Sequence, residues 1–312
     1  MAKRKIAGLL LGTAGTLAVS NAMINRRVEP LGPPLGRETG SYRWRGMDVA
    51  FTEAGDPEDP DMVLLHSIGP AATSREFRRI FDRLAEEYHL LAPDIPGFGR
   101  SDRPPISYSA AMYEAFVRDF LRELTDAPIC LASGVSGAYA LAASAETPIA
   151  RLLLVCPSVE PPMSGHRATS LLLRSPLIGT TAFNLMTSRL ALERQIEQTA
   201  VVDGDVVDPD DLRYLWQSAH QRGGQHAPAS MVAGELTSSI DLADATATFD
   251  GPVTLIWGRE ATQPSIEAGR TLAGDASVKL VVIDRSRLMP HFEQPRAFRD
   301  VLASELPVTT SE

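Results

Sequence analysis

Apolar positions in this chain fall into two alternating patterns. Short, mostly apolar runs, namely Met62–Leu65, His89–Ala92, Ile129–Ala132, Leu152–Cys156, Pro252–Trp257 and Lys279–Ile283, have the length and composition of strands buried on both faces. Between them, Ser74–Glu87, Tyr108–Leu124, Gly137–Ala145 and Gln294–Leu306 carry apolar residues at helical spacing. A strand pair, Tyr42–Trp44 and Val49–Glu53, joined by Arg45-Gly46-Met47-Asp48, precedes the first run. This order predicts an α/β fold with a mostly parallel central sheet flanked by helices. The alternation stops between residues 158 and 250, where helices are predicted around Thr169–Ser188, Leu190–Val201, Pro209–Gln221 and Ala229–Asp241. Inserted between two core strands, they predict a helical lid over the edge at which open α/β sheets bind ligands. The core is expected over 41–157 and 251–307, with the lid over 158–250.

The first 28 residues follow a different rule. Lys3-Arg4-Lys5 precedes a mostly apolar stretch, Ile6–Ile24, and Arg26-Arg27 follows it. As a helix that stretch spans roughly 28 Å, about the thickness of a bilayer core, which predicts an N-terminal hydrophobic helix anchoring the protein to a membrane. Two alternatives stay open. One is a cleaved signal with small residues near Ser20 and Ala22, giving an exported soluble protein; the other is a helix lying at the interface or packed on the domain. Basic residues on both flanks set no orientation. Gly8 and Gly12 form a GxxxG through which two such helices could approach as a homodimer. Residues 29–40, rich in Pro and Gly, read as a linker.

Net charge is −9, and with five basic and no acidic side chains in residues 1–28 the rest of the chain carries −14 (25 − 39). So acidic a body repels phosphate backbones, and nucleic acid is not expected as a partner. Cys130 and Cys156 sit in strand-like runs as small apolar residues. No Cys/His spacing suggests a metal, and no cofactor is expected.

Several motifs occur in a telling order: Leu64-Leu65-His66-Ser67-Ile68-Gly69, Asp94-Ile95-Pro96-Gly97-Phe98-Gly99-Arg100-Ser101-Asp102-Arg103-Pro104, Leu255-Ile256-Trp257-Gly258 and Pro290-His291-Phe292-Glu293-Gln294-Pro295. From about Tyr42 to Leu306 the chain resembles the α/β-hydrolase superfamily. The resemblance implies an oxyanion-like pocket formed by His66, Ser67, Ile68 and Val135. It also implies a nucleophile on the turn after Ile129–Leu131, an acid three residues after Gly258 and a base five residues before Glu293. Those three positions read Gly134, Ala261 and Leu288. Ser67 stands where the family carries Gly.

The turn Ala132-Ser133-Gly134-Val135-Ser136-Gly137-Ala138 admits three registers. With Gly134 at the apex, Ala132 and Ser136 fill the two small positions that strand–helix packing demands. With Ser136 there, Gly134 and Ala138 flank it, but the strand lengthens by two residues. With Ser133 there, Leu131 and Val135 would crowd the turn. A displaced acid could come from Glu160, while Glu260 reads as a surface carboxylate. His291 reads as a structural histidine within one helical turn of the pocket.

Gly has no nucleophilic atom, Ala cannot orient an imidazole and Leu cannot accept a proton. The leading expectation is therefore a non-catalytic protein that binds an apolar or amphipathic small molecule, or a partner, beneath the lid. The alternative is an esterase-like serine hydrolase using Ser136, His291 and Glu160 (or Glu260). A third reading is a structural protein that self-associates through Gly8 and Gly12.

Overall fold

The computed structural model describes residues 28–37, 39–161, 178–274 and 278–306, together with Asn21, Leu173 and Ser175. Eight strands form one sheet: β1 (Thr39–Trp44), β2 (Met47–Ala54), β3 (Asp61–Leu65), β4 (His89–Pro93), β5 (Ile129–Ser133), β6 (Arg151–Val155), β7 (Val253–Gly258) and β8 (Val278–Ile283). Their order across the sheet is β1-β2-β4-β3-β5-β6-β7-β8. β2 runs antiparallel to β1 and β4, and every later pairing is parallel.

The period of two decides which side each residue serves. On β3, Val63 and Leu65 enter one apolar layer while Met62 and Leu64 enter the other. On β5, Cys130 and Ala132 divide from Ile129 and Leu131 in the same way. The first layer is covered by α2 (Ala110–Leu124) and α3 (Ser136–Ser144). The second is covered by α1 (Phe81–Leu84) and, at the end of the chain, by α11 (Pro295–Glu305). Ser109 caps α2 by accepting from the Met112 amide. Trp44 Nε1 donates to Asp119 at 2.9 Å and Tyr42 to Glu123 at 2.9 Å, tying the edge hairpin to that helix.

The lid comprises α4 (Ile178–Met186), α5 (Arg189–Gln195), α6 (Pro209–Ala219), α7 (His226–Val232) and α8 (Leu242–Thr248); α9 (Ile266–Leu272) and α10 (Pro290–Glu293) lie in the core. Three helices predicted as continuous are broken. Ser74–Glu87 becomes a 3₁₀ turn, Ser74–Phe77, followed by α1, because the Ser74 amide and hydroxyl are both drawn to Asp94 Oδ1 (2.8 and 2.9 Å). Leu190–Val201 ends as a π turn, Ile196–Ala200. Ala229–Asp241 stops at Val232, where Gly234 (φ +77°) closes the helix and the Glu235 amide reaches back to Ser230 O; Asp241 then caps the separate α8.

The membrane-helix expectation falls on residues 6–24, of which Asn21 alone is described. Asn21 is helical and buried, donating to Thr181 Oγ1 (3.0 Å) and accepting from Asn184 Nδ2 (3.0 Å), both on α4. No helix among the described residues is long and apolar enough to cross a membrane. Residues 28–37 lie along α6: Gln221 Nε2 donates to Glu29 O (2.7 Å), Tyr214 donates to Gly32 O (3.0 Å), and Leu35 is buried in the second apolar layer.

Candidate functional site

The C-terminal ends of β3, β5, β6, β7 and β8 converge beneath the lid. Between β5 and α3 the backbone turns through Gly134, whose φ of +58° lies in the left-handed region that favours glycine. Its amide donates to Val155 O (2.9 Å). A Cβ placed on it would meet only the Ser67 Cβ, at 3.5 Å. Gly137, by contrast, packs tightly: a Cβ there would stand 3.3 Å from Pro157 and 3.4 Å from Leu154. Ser136 is fully buried in the first turn of α3, where its hydroxyl donates to His66 O at 2.6 Å. Ser133 is buried at the end of β5.

His66 organises the facing turn. Its Nε2 accepts from the Ile95 amide (3.0 Å), so Nδ1 carries the proton and donates to Ser67 O (2.6 Å). Burial lowers its pKa and keeps the ring neutral. The amides of Ile68 and Val135 donate to no acceptor among the described residues, and both residues line the cavity below the lid. Two unspent N–H groups at this place form a site for a carbonyl oxygen or an oxyanion.

Ala261 and Leu288 lie together. They share an apolar cluster with Cys156, Trp257 and Ile266, so the space between β7 and the turn after β8 is filled by hydrocarbon. Glu260 faces away, its carboxylate accepting from the Arg285 and Ser286 amides (3.3 and 2.9 Å). Glu160 is exposed on the cavity rim. His291 is fully buried between Phe77 and Phe298 (centroids 5.1 and 5.7 Å). No hydrogen bond joins Ser136, His291 and Glu160 among the described residues. Burial pushes the Cys130 and Cys156 thiols up to about 12, which leaves them unreactive near neutrality.

One group in the cavity was not singled out from the sequence. Glu76, read as a polar position on an amphipathic helix, turns inward from the 3₁₀ segment. Its Oε2 accepts from the Ser67 amide (3.1 Å) and the Ser67 hydroxyl (2.8 Å). Oε1 has no hydrogen-bond partner and faces His291 Nε2 at 3.6 Å; neither nitrogen of that ring has one either. Burial raises the Glu76 carboxyl to about 7, against the opposing pull of its hydrogen bonds from Ser67, and depresses His291 to about 3. The sequence conceals this role because Thr73-Ser74-Arg75-Glu76 has the spacing of a helix capping box, in which the Glu would serve the helix itself.

The cavity measures about 780 Å³. Its floor is Ser67–Gly69, Gly134, Val135 and Glu76, and its walls are mainly apolar, with Leu192, Ile196, Leu215, Leu288 and Phe292 among them. That size and lining suit a small apolar or amphipathic ligand. Among the described residues no group of three or more His, Cys, Asp or Glu side chains gathers to hold a metal ion.

Comparison with known proteins agrees with this architecture. A family described as the alpha/beta hydrolase family matches residues 62–301. An uncharacterized protein of Mycobacterium tuberculosis is 24% identical over 298 residues, covering 91% of this chain and 84% of its own. Among solved structures, Cfl2 from Burkholderia cenocepacia superposes with a TM-score of 0.70 at 20% identity, over 86% of this chain and 95% of its own. A structure described as a membrane phospholipase A, a bacterial virulence factor, superposes with a TM-score of 0.67 at 21% identity, over 97% of this chain and 94% of its own. At these identities the likeness is one of fold.

Proposed function

Because the chain belongs to the α/β-hydrolase family, we propose that it keeps the family's cavity and oxyanion amides but not its elbow chemistry, and binds an apolar or amphipathic carbonyl compound beneath the lid. The observation that carries this reading is Gly134. The residue at the apex of the turn has no side chain, and the places from which an acid and a base would act hold Ala261 and Leu288 in one apolar cluster. Without nucleophile and base, an acyl-transfer site of this design retains only about 10³–10⁴-fold over water from its oxyanion donors and binding. A carbonyl oxygen seated on the Ile68 and Val135 amides would place the rest of the ligand among Leu192, Ile196 and Leu215.

The test is saturable binding of the fluorescent apolar probe 1-anilinonaphthalene-8-sulfonate to the full chain. Gly69 lines the cavity, and a Cβ on it would meet nothing within 4 Å. Gly69→Trp should therefore fill the cavity without disturbing the fold and weaken binding at least about tenfold. Equal binding by this variant would reject the reading. The alternative, an esterase built on Ser136, His291 and Glu160, requires the Ser136 hydroxyl to abandon His66 O. Turnover of an aryl ester with covalent labelling of Ser136 would establish it.

Gly134→Ser alone should not restore turnover. We expect a stability loss of about 1–2 kcal/mol from placing a side chain in the left-handed region. Aryl-ester hydrolysis should rise no more than about twofold above the starting protein, since Ala261 and Leu288 supply neither acid nor base at the family's positions. Thermal melts and a chromogenic ester assay check both parts.

A further inference from the structure

We propose that Ser67, with Glu76 as its proton acceptor and the Ile68 and Val135 amides as oxyanion donors, forms an acyl-transfer site for esters of apolar acids on the floor of the same cavity, displaced from the empty elbow. The proposal rests on the reading of that cavity as a ligand site and adds a reaction to it.

Four observations meet at this point. The Ser67 hydroxyl lines the cavity and donates to Glu76 Oε2 at 2.8 Å, the nucleophile–base contact that activation requires. The Ser67 Cβ stands 3.5 Å from where a Gly134 side chain would begin, so the empty apex leaves room for the carbonyl under attack. The Ile68 amide directly follows the hydroxyl-bearing residue and the Val135 amide directly follows Gly134; both residues line the cavity, and neither amide donates to an acceptor among the described residues. Finally, Glu76 is backed by an unspent group. Oε1 and both His291 nitrogens lack partners, and the 3.6 Å between Oε1 and Nε2 closes to a hydrogen bond with a shift of less than an ångström. His291 is then a positioning residue that holds the carboxylate in line with Ser67.

The steps balance without any other reagent. Ser67 Oγ bonds to the carbonyl carbon as its proton passes to Glu76 Oε2, and the carbonyl electron pair moves onto the oxygen held by the two amides. Collapse expels the alcohol as it takes the proton from Glu76, leaving the acyl group on Ser67. Water then attacks the acyl carbon, giving a proton to Glu76, and the acid departs as that proton returns to Ser67 Oγ. Burial keeps the Glu76 carboxyl near 7, so the base form accumulates as pH rises through neutrality. The ionisable group facing it from the closing helix is His291, which stays uncharged over that range.

The experiment uses the full chain, an alkyl fluorophosphonate, intact-mass measurement and peptide mapping, with probe-dye binding followed in parallel. The expected result is a single adduct on Ser67, formed at a rate that climbs through about pH 7. Ser67→Ala, shown to be folded by circular dichroism, should give none. Glu76→Gln should slow labelling about 10²-fold or more and flatten the pH profile. His291→Phe should move the midpoint of that profile upward, a shift that packing loss alone would not produce. An adduct on Ser133 or Ser136 overturns the proposal. Dye binding without any adduct also overturns it while leaving the cavity reading intact, and loss of both rejects the two together.

Discussion

Asp94→Ala is expected to lower the stability of the protein by about 4 kcal/mol, the cost typical of breaking a buried, fully paired carboxylate. Asp94 directly follows β4 and is almost wholly buried. Its Oδ1 takes the amide and hydroxyl of Ser74 and its Oδ2 takes the Arg100 amide at 2.9 Å, so one side chain closes two loops. Gly99 is glycine for the same reason, since a Cβ there would lie 2.0 Å from the carboxylate carbon. Arg103 is also buried, which pulls its pKa down to about 10, and Asp94 is the leading charge offsetting that penalty. Removing the carboxylate strands three donors and leaves the guanidinium with its carbonyl partners on Ser218 and Gly99. A urea titration would register the change, and Asp94→Asn, which keeps an acceptor, should lose roughly half as much. A loss below about 1 kcal/mol for the alanine variant would show that this network is not what holds the turn.

The second large effect concerns the buried pair below the cavity. The Glu76 carboxyl titrates near 7 in the folded protein against 4.5 for a solvated one, so the folded state binds the extra proton. Its contribution is complete below pH 4.5 and is lost as pH rises to about 7, amounting to about 3 kcal/mol. His291 has the opposite sign. Its folded value falls from 6.5 to about 3, so its contribution is present above 6.5 and lost as pH drops toward 3. Between about 4.5 and 6.5 the two slopes cancel. Glu76→Gln should therefore raise stability at pH 8 by about 3 kcal/mol, because the amide keeps an acceptor for Ser67 and carries no charge to bury. The remaining profile should rise with pH up to about 6.5. His291→Phe should uncover the falling limb instead. Unfolding midpoints collected from pH 4 to 8 for both variants test the signs, and identical profiles would refute the account. A carboxylate kept against its own stability cost is what a site in use looks like.

The sequence made the sheet legible because the central strands β3 to β7 are buried along almost their whole length and therefore read as mostly apolar runs. Each predicted strand overlaps an observed one, with ends that differ by at most three residues. The elbow was legible for a related reason. Only small residues fit where Gly137 meets Pro157, and that anchored the turn. The lid was harder because its helices are short and interrupted by tertiary demands that no local spacing encodes. Gly234 ends α7 early, a π turn replaces the end of a predicted helix, and α8 has no counterpart in the predicted elements. Glu76 escaped notice because its partners, Ser67 and His291, lie 9 and 215 residues away in the chain. Nothing in its own neighbourhood distinguishes it from the capping carboxylate it resembles.

Helix α6 has two occupied sides. Asp211 and Leu215 face the cavity, while Tyr214 and Gln217, with Gln221 just past the helix end, grip residues 28–37, a strap along the helix, at Gly32 and Glu29. The roof of the ligand site and the leading stretch of the chain thus share one rigid rod. Thermodynamic reciprocity then fixes how they communicate: whatever free energy a ligand spends in shifting this rod against the strap, releasing the strap changes the ligand's affinity by the same amount.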